Sequence, residues 1–179
     1  MRLALVSALL LSAGLLAAAP AGAQTAAAPA PSPLDNVPDN MPFNTPYGPP
    51  ISAAHAQAVI RAAEAEAVKR HWQMNLSVVD SGGNLVAFLR MDGAQLASIS
   101  ISEHKARAAV KYRRPTKAFE DGIQKAGFNY VMTLDDVIAS RGGIPLVQNG
   151  KLIGAIGCSG GTGSQDEVVA TAGAALINK

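Results

Sequence analysis

The chain has 179 residues, and its 15 basic and 13 acidic side chains leave a formal net charge of +2. This near balance gives no indication of nucleic acid binding, which is typical of strongly basic chains, and we expect no nucleic acid partner. A single cysteine, Cys158, excludes an internal disulfide, and the absence of spaced Cys and His pairs argues against a metal cluster held by such residues. The sequence also lacks the Cys-x-x-Cys-His pattern of covalent haem attachment.

Residues 1–23 have the pattern of a secretory signal peptide. Arg2 gives a basic start, an apolar run follows from 3 to 16, and Ala21-Gly22-Ala23 fits a cleavage site. The run is shorter than the roughly 20 apolar residues that span a bilayer. We therefore expect cleavage before Gln24, a periplasmic or secreted location, and no membrane span in the mature protein.

Residues 24–50 form an Ala- and Pro-rich linker in which repeated X-Pro steps favour extended backbone. Its aromatic residues, Phe43 and Tyr47, either pin the segment onto a folded domain or a neighbouring subunit, or belong to a plain tether. The remaining residues, 51–179, are long enough for one domain with a core of its own.

The first half of this domain has the periodicity of a helix, a strand hairpin and two further helices. Apolar positions and cap residues predict these elements in chain order: a helix from a Ser52 cap to about Arg70, strands at 74–79 and 85–90, a helix over about 99–112 capped by Ser98 or Ser100, and a short helix from Thr116 to near Gly127. A turn at Asp135-Asp136 and a short strand at 137–139 are also predicted.

The second half has the clearest local signal. Asn149-Gly150 separates apolar runs at 144–148 and 151–158, which is typical of a hairpin with a type I′ turn. A glycine-rich loop over 157–163 follows, and a capping box at 164–167 predicts the last helix. Tight hairpins and alanine-rich helices favour an α+β fold built in layers, α/β/α.

Five segments together resemble the GlcG/HbpS family, also described as haem-degrading-domain-like proteins: Val79-Asp80-Ser81-Gly82-Gly83, Lys105-Ala106, Gly142-Gly143-Ile144-Pro145, 154–161 and Gln165-Asp166-Glu167. The resemblance implies a profilin-like α/β/α sandwich with a five-stranded antiparallel sheet, and homo-oligomers. Relatives of this type include exported haem-binding proteins, a domain of a cobalamin adenosyltransferase and proteins encoded beside glycolate metabolism. Fold is therefore implied more firmly than activity.

The glycine loop contains Gly160, Gly161 and Thr162 as candidate ligand contacts. It lacks the spacing of a P-loop or a dinucleotide fingerprint. Free N–H groups beside a helix start suit a carboxylate, such as a haem propionate or a small organic acid. The alternative is that these glycines serve close packing only.

Other candidate haem contacts are His104, Lys105, Arg113, Arg114 and Thr116. His104 is the candidate iron ligand, and the arginine pair suits propionates. A purely structural interpretation stays open for three of these residues. His104 and Lys105 are then solvated side chains of a helix, and Thr116 only caps a helix.

Cys158 is either a thiolate ligand to haem iron or a small buried residue. Asp80, Asp135 and Asp136 fall in turns, where side-chain capping explains them. No Ser-His-Asp set is indicated.

Three functions remain open from the sequence. The first is an exported haem-binding or haem-handling protein; the second is a binder or enzyme of a small organic acid held by Lys105 and the glycine loop; the third is an oligomeric sensor or scaffold. The first two expect a small-molecule partner, and whether the protein is catalytic is left open.

Overall fold

A computed structural model describes residues 32–178 of the chain, so the predicted signal peptide at 1–23 and the linker up to residue 31 lie outside the described residues. The chain forms two units, one ending at Asn36 and one beginning at Val37. The described part of the first unit holds a 3-10 turn, Pro33–Asp35, capped by Ser32. Within the described residues, no helix has the length and apolarity needed to cross a membrane.

Between residues 37 and 178 the protein has four α-helices, four β-strands and one 3-10 helix. In chain order they are α1 (Ala53–Lys69), β1 (Asn75–Asp80), β2 (Leu85–Arg90), α2 (Ala97–Lys111), α3 (Lys117–Gln124), the 3-10 helix (Asn129–Thr133), β3 (Gly143–Gln148), β4 (Lys151–Ser159) and α4 (Gly163–Ala174). The predicted helices and both hairpins are therefore confirmed. Asn149 and Gly150 have φ angles of 51° and 72°, as the predicted type I′ turn requires.

The sheet has four antiparallel strands in the order β2-β1-β4-β3, so the expectation of five strands is wrong for the described residues. Beyond the C-terminal end of β1, residues 46–51 take its place beside the start of β4. Leu152 N–H donates to the Pro46 carbonyl, and Gly48 N–H donates to the Leu152 carbonyl, both at 2.8 Å. Pro49 and Pro50 have no N–H to donate, so this segment forms a bridge rather than a strand.

The starts of α2 and α4 differ from their predicted caps, whereas Ser52 caps α1 as predicted. No side chain caps α2 at its start, and Ser98 is instead buried, where its hydroxyl accepts from Ser159. The capping box of α4 joins Thr162 and Gln165, two residues before the predicted box. The predicted strand at 137–139 is absent; Val137 and Ile138 are half-buried beside the core around Phe119.

Helices cover both faces of the sheet. Helices α1 and α4 pack on one face, over a core that includes Val59, Leu76, Val78, Ile156 and Val169. Helix α2 packs on the other face, where Ala106 and Ala109 meet Ala155 and Leu152. The observed architecture is thus the expected α/β/α sandwich, with α2 alone on its side of β1, β3 and β4.

Glycines in β3 and β4 let α2 lie directly against the sheet. A Cβ on Gly157 would sit 2.0 Å from the Ser102 carbonyl oxygen, and one on Gly143 would sit 2.3 Å from that of Lys105. Both oxygens are backbone atoms of α2, so neither can move aside cheaply. At these two positions the glycines face a neighbouring helix.

We expect Gly157→Ala to lower the free energy of unfolding by about 1–3 kcal/mol, because the new methyl group overpacks the contact with α2. Gly122→Ala is the matched control. Its Cβ would meet only ordinary contacts with Phe128, at 3.7 Å or more, inside α3, so it should raise stability by about 0.5–1 kcal/mol. Urea unfolding checks both, and equal effects of the two substitutions would contradict the close contact.

Candidate functional site

The residues predicted to contact a ligand lie in three separate places. Lys105, Gly160 and Gly161 meet around the side chain of Asp166, His104 lies on a different face of α2, and Arg114 borders a cavity beyond the end of that helix. Consecutive residues of a helix point about 100° apart, which is why His104 and Lys105 do not share a site.

Asp166 joins Lys105 to the glycine loop. Its Oδ2 accepts a hydrogen bond of 2.6 Å from Lys105 Nζ, and its Oδ1 accepts from the N–H groups of Gly160 and Gly161, both at 3.1 Å. Lys105 is 1% exposed and Asp166 is 2% exposed, so Lys105 is not the solvated lysine of the alternative interpretation. Burial raises the pKa of Asp166, and the ion pair with Lys105 opposes that shift. The protein's own carboxylate therefore holds the N–H groups predicted for an acid ligand.

Close packing also surrounds the glycine loop. A Cβ on Gly160 would lie 2.3 Å from the Gln73 carbonyl oxygen, and one on Gly161 would lie 2.5 Å from Gln165 Oε1. The outer side of the loop borders a cavity of about 180 Å³ that His71 and Trp72 also line.

Thr116 and Thr162 both have local structural contacts. Thr116 is fully buried, and its Oγ1 accepts from Gly143 N–H at 2.9 Å, so it fastens β3 and does not cap α3 as predicted. Thr162 caps α4 through Gln165. Cys158 is buried, and burial raises the pKa of its thiol well above the usual value. This environment favours the interpretation of Cys158 as a small core residue over that of a thiolate ligand.

His104 borders an open cavity of about 240 Å³ on the outer face of α2, which we call the His104 cavity. Its other lining residues are Ser100, Ile101, Arg107 and Asp136. The imidazole of His104 makes no hydrogen bond with any residue of the described chain 32–178, so a ring nitrogen is available to a ligand. Asp136 is ion-paired to Lys111, and the hydrogen bond from Lys111, with His104 nearby, lowers the pKa of its carboxyl.

Sequence reasoning missed Arg107 and Asp136 as neighbours of His104. Arg107 follows His104 by three residues, which is the spacing of one helix face, so periodicity alone would have found it. Asp136 comes from a turn 32 residues further along the chain, and no local pattern relates it to α2. In the described residues, no group of three His, Cys, Asp or Glu side chains could hold a metal ion.

Arg114 borders a larger cavity of about 370 Å³ beside α3, which we call the aromatic cavity. Its lining includes Phe43, Tyr112, Phe119, Phe128 and Tyr130. The Arg114 guanidinium lies 3.7 Å from the centre of the Phe43 ring, whereas Arg113 lies over Tyr47 at 5.7 Å. The two arginines therefore hold two aromatic residues of the N-terminal segment rather than pointing to one common ligand.

Comparison with known proteins defines the family. Residues 51–175 match the family described as "Haem degrading protein HbpS-like", and the chain belongs to this family. GlcG of Escherichia coli K12 is 40% identical over 109 residues, which are 61% of this chain and 81% of GlcG.

Solved structures agree in fold. A complex of PduOC with haem superposes with a TM-score of 0.66 at 31% identity, covering 72% of this chain and 96% of PduOC. A double mutant of HbpS from Streptomyces reticuli has a TM-score of 0.67 at 29% identity, covering 83% of this chain and 99% of HbpS. The resemblance deduced from the sequence is therefore confirmed, and haem is bound by at least one relative.

We expect Lys105→Met and Asp166→Asn each to lower the free energy of unfolding by about 3–5 kcal/mol, because each leaves an unpaired charge in the interior. The double variant should cost less than the sum of the two, since neither charge is then stranded. Urea unfolding of the four proteins measures the coupling. Lys117→Met is the control, because it breaks a partly exposed pair with Asp121 on α3. It should lower the free energy of unfolding by less than either buried substitution does. Strict additivity at 105 and 166 would contradict a direct pair.

We expect Glu120→Gln to change the pH dependence of stability. The hydrogen bonds from Arg141 lower the pKa of Glu120 below 4.5, so the pair stabilises the fold above that pH and is lost as pH falls through the lowered pKa. The wild type should therefore be more stable than the variant at pH 7, with the difference shrinking below about pH 4.5. Thermal melts from pH 3 to 7 measure this; a constant difference would contradict it.

Proposed function

We propose that this chain is a haem-binding protein and that His104 is its iron ligand. The observation that carries the proposal is the half-buried imidazole of His104, which has no hydrogen-bond partner in the described chain and borders an open cavity. Membership of the HbpS-like family and the haem complex of PduOC support it. Neutral imidazole is a common protein ligand to haem iron.

The chemistry of the His104 cavity fits a haem edge. Ile101 offers apolar contact to a porphyrin, and the Arg107 guanidinium offers a charge-assisted hydrogen bond to a propionate. Arg107 Nη1 lies 3.3 Å from Glu103 in a partly exposed pair, which is weak enough to exchange for a propionate. Bound haem supplies an iron centre for redox chemistry; the residues of this chain would hold and orient it.

The volume of about 240 Å³ encloses only part of a porphyrin. We therefore also propose a homo-oligomer in which a second copy covers the exposed part of the haem. Leu85 and Phe88 on the edge strand β2 are 47% and 38% exposed, and they offer apolar area for such a contact. The native mass, measured with and without hemin, tests this.

We further propose that the protein acts in the periplasm or outside the cell. The support is the signal-peptide pattern of residues 1–23. Fractionation of cells that produce the full chain, with N-terminal sequencing of the product, tests it; a cytoplasmic product that keeps residues 1–23 would contradict the proposal.

Hemin titration of the purified protein tests the haem proposal. The wild type should bind hemin with a saturable shift of the Soret band. His104→Ala should lose or displace this band, whereas His55→Ala, which removes an exposed histidine of α1, should not. Absence of a saturable shift in the wild type would refute haem binding, and identical spectra for wild type and His104→Ala would refute the ligand assignment.

A further inference from the structure

The aromatic cavity is not used by the haem proposal, yet it has the composition of a ligand site. Rings from three parts of the chain border it: Phe43 from the N-terminal segment, Tyr112 and Phe119 from the end of α2 and from α3, and Phe128 and Tyr130 from the start of the 3-10 helix region after α3. Tyr112 and Phe119 meet edge to face, with 5.2 Å between ring centres. Such packed rings give the walls a defined shape.

Arg114 is a cation at this apolar wall without an acidic partner. Its Nε donates to the Tyr112 carbonyl at 3.0 Å, which fixes the guanidinium plane. Among the described residues, no carboxylate lies within ion-pair distance of it. Burial lowers the pKa of Arg114, in keeping with a guanidinium that has lost water and gained no anion. The terminal nitrogens are therefore suited to an anion that the protein itself does not provide.

The volume limits the size of the ligand. At about 370 Å³ the cavity lies near the lower end of small-molecule sites, which run from about 300 to 1,000 Å³. A dry cavity of about 150 Å³ is enough for benzene. The aromatic cavity thus suits a ligand of one or two rings.

The N-terminal segment closes one side of the cavity. The Tyr47 hydroxyl donates to the carbonyl oxygens of Lys111 (2.9 Å) and Val110 (3.2 Å) at the end of α2, and so anchors the segment. Phe43 has a φ of 56°, an unfavourable value for an aromatic residue. Its ring lies against the Arg114 guanidinium and so forms a wall of the cavity beside it.

We propose that the aromatic cavity binds a small aromatic carboxylate. The carboxylate accepts two parallel hydrogen bonds from the Arg114 guanidinium, and the ring of the ligand packs among Phe119, Phe128 and Tyr130. A bidentate guanidinium–carboxylate contact requires the planar fork of arginine, which lysine does not offer. The sequence suggested an organic-acid site at Lys105. The proposal places that site at Arg114 instead.

Calorimetric titration with 3-phenylpropionate and its neutral analogue 3-phenylpropanamide tests the proposal. The wild type should bind the acid at least about tenfold more tightly than the amide, the ratio expected from one charge-assisted contact. Arg114→Met should bind both compounds with equal, weak affinity. Gly122→Leu, which adds a side chain to the cavity wall from α3 and leaves Arg114 in place, should bind neither. Its melting temperature checks that it folds.

Three results of this titration would overturn the proposal, and a fourth comes from competition with hemin. The three are equal affinity of the wild type for acid and amide, no binding of either compound, and an unchanged preference for the acid in Arg114→Met. Hemin is itself a carboxylate, so the titration is repeated on the hemin-loaded protein. Unchanged affinity supports a separate site, whereas competition by hemin would overturn it. The hemin spectrum of Arg114→Met separates this proposal from the haem proposal. A spectrum like that of the wild type shows that haem binding at His104 is intact even if the aromatic cavity binds no acid.

Discussion

The ion pair between Lys105 and Asp166 is the contact on which the rest of the structure depends. It joins α2 to the start of α4 through the interior, and the same carboxylate orients the N–H groups of Gly160 and Gly161. A buried charge pair costs desolvation energy and is tolerated when its hydrogen bonds are satisfied. Here the carboxylate has three donors, so the pair fixes the glycine loop in one arrangement.

This pair also divides the chemistry of α2 between two faces. The inner face carries Lys105, Ala106 and Ala109 and is consumed by packing against glycines of the sheet, which leaves no room for a ligand. The outer face carries His104 and Arg107, which stay accessible. The face of α2 that does not hold the fold together is therefore the one available for ligand binding. The residues of the two faces nevertheless alternate along one short stretch of sequence.

Local patterns predicted most of the fold. The Asn149-Gly150 turn, the cap at Ser52 and the presence of strand β1 depend on neighbouring residues alone, and they are confirmed. The expected alternation of burial in β1 is absent, because helices cover both faces of the sheet and 75–79 are all buried. The expectation of five strands is wrong for the described residues, because 137–139 form no strand and 46–51 meet β4 only through an isolated bridge. The missed contacts were those between distant residues: Thr116 resembles a helix cap in sequence but bonds to Gly143, and Asp166 resembles a first-turn acid but neutralises Lys105.

The sequence by itself determined the family, the order of helices and strands, and the residue types available for chemistry, because these follow from local spacing and motif. Only the tertiary structure decided which of those residues share a site. The glycine loop is occupied by the protein's own carboxylate, whereas Arg114 faces a cavity without one. The physical reason is that burial and pairing depend on what the folded chain brings opposite each group, and residues distant in sequence supply it.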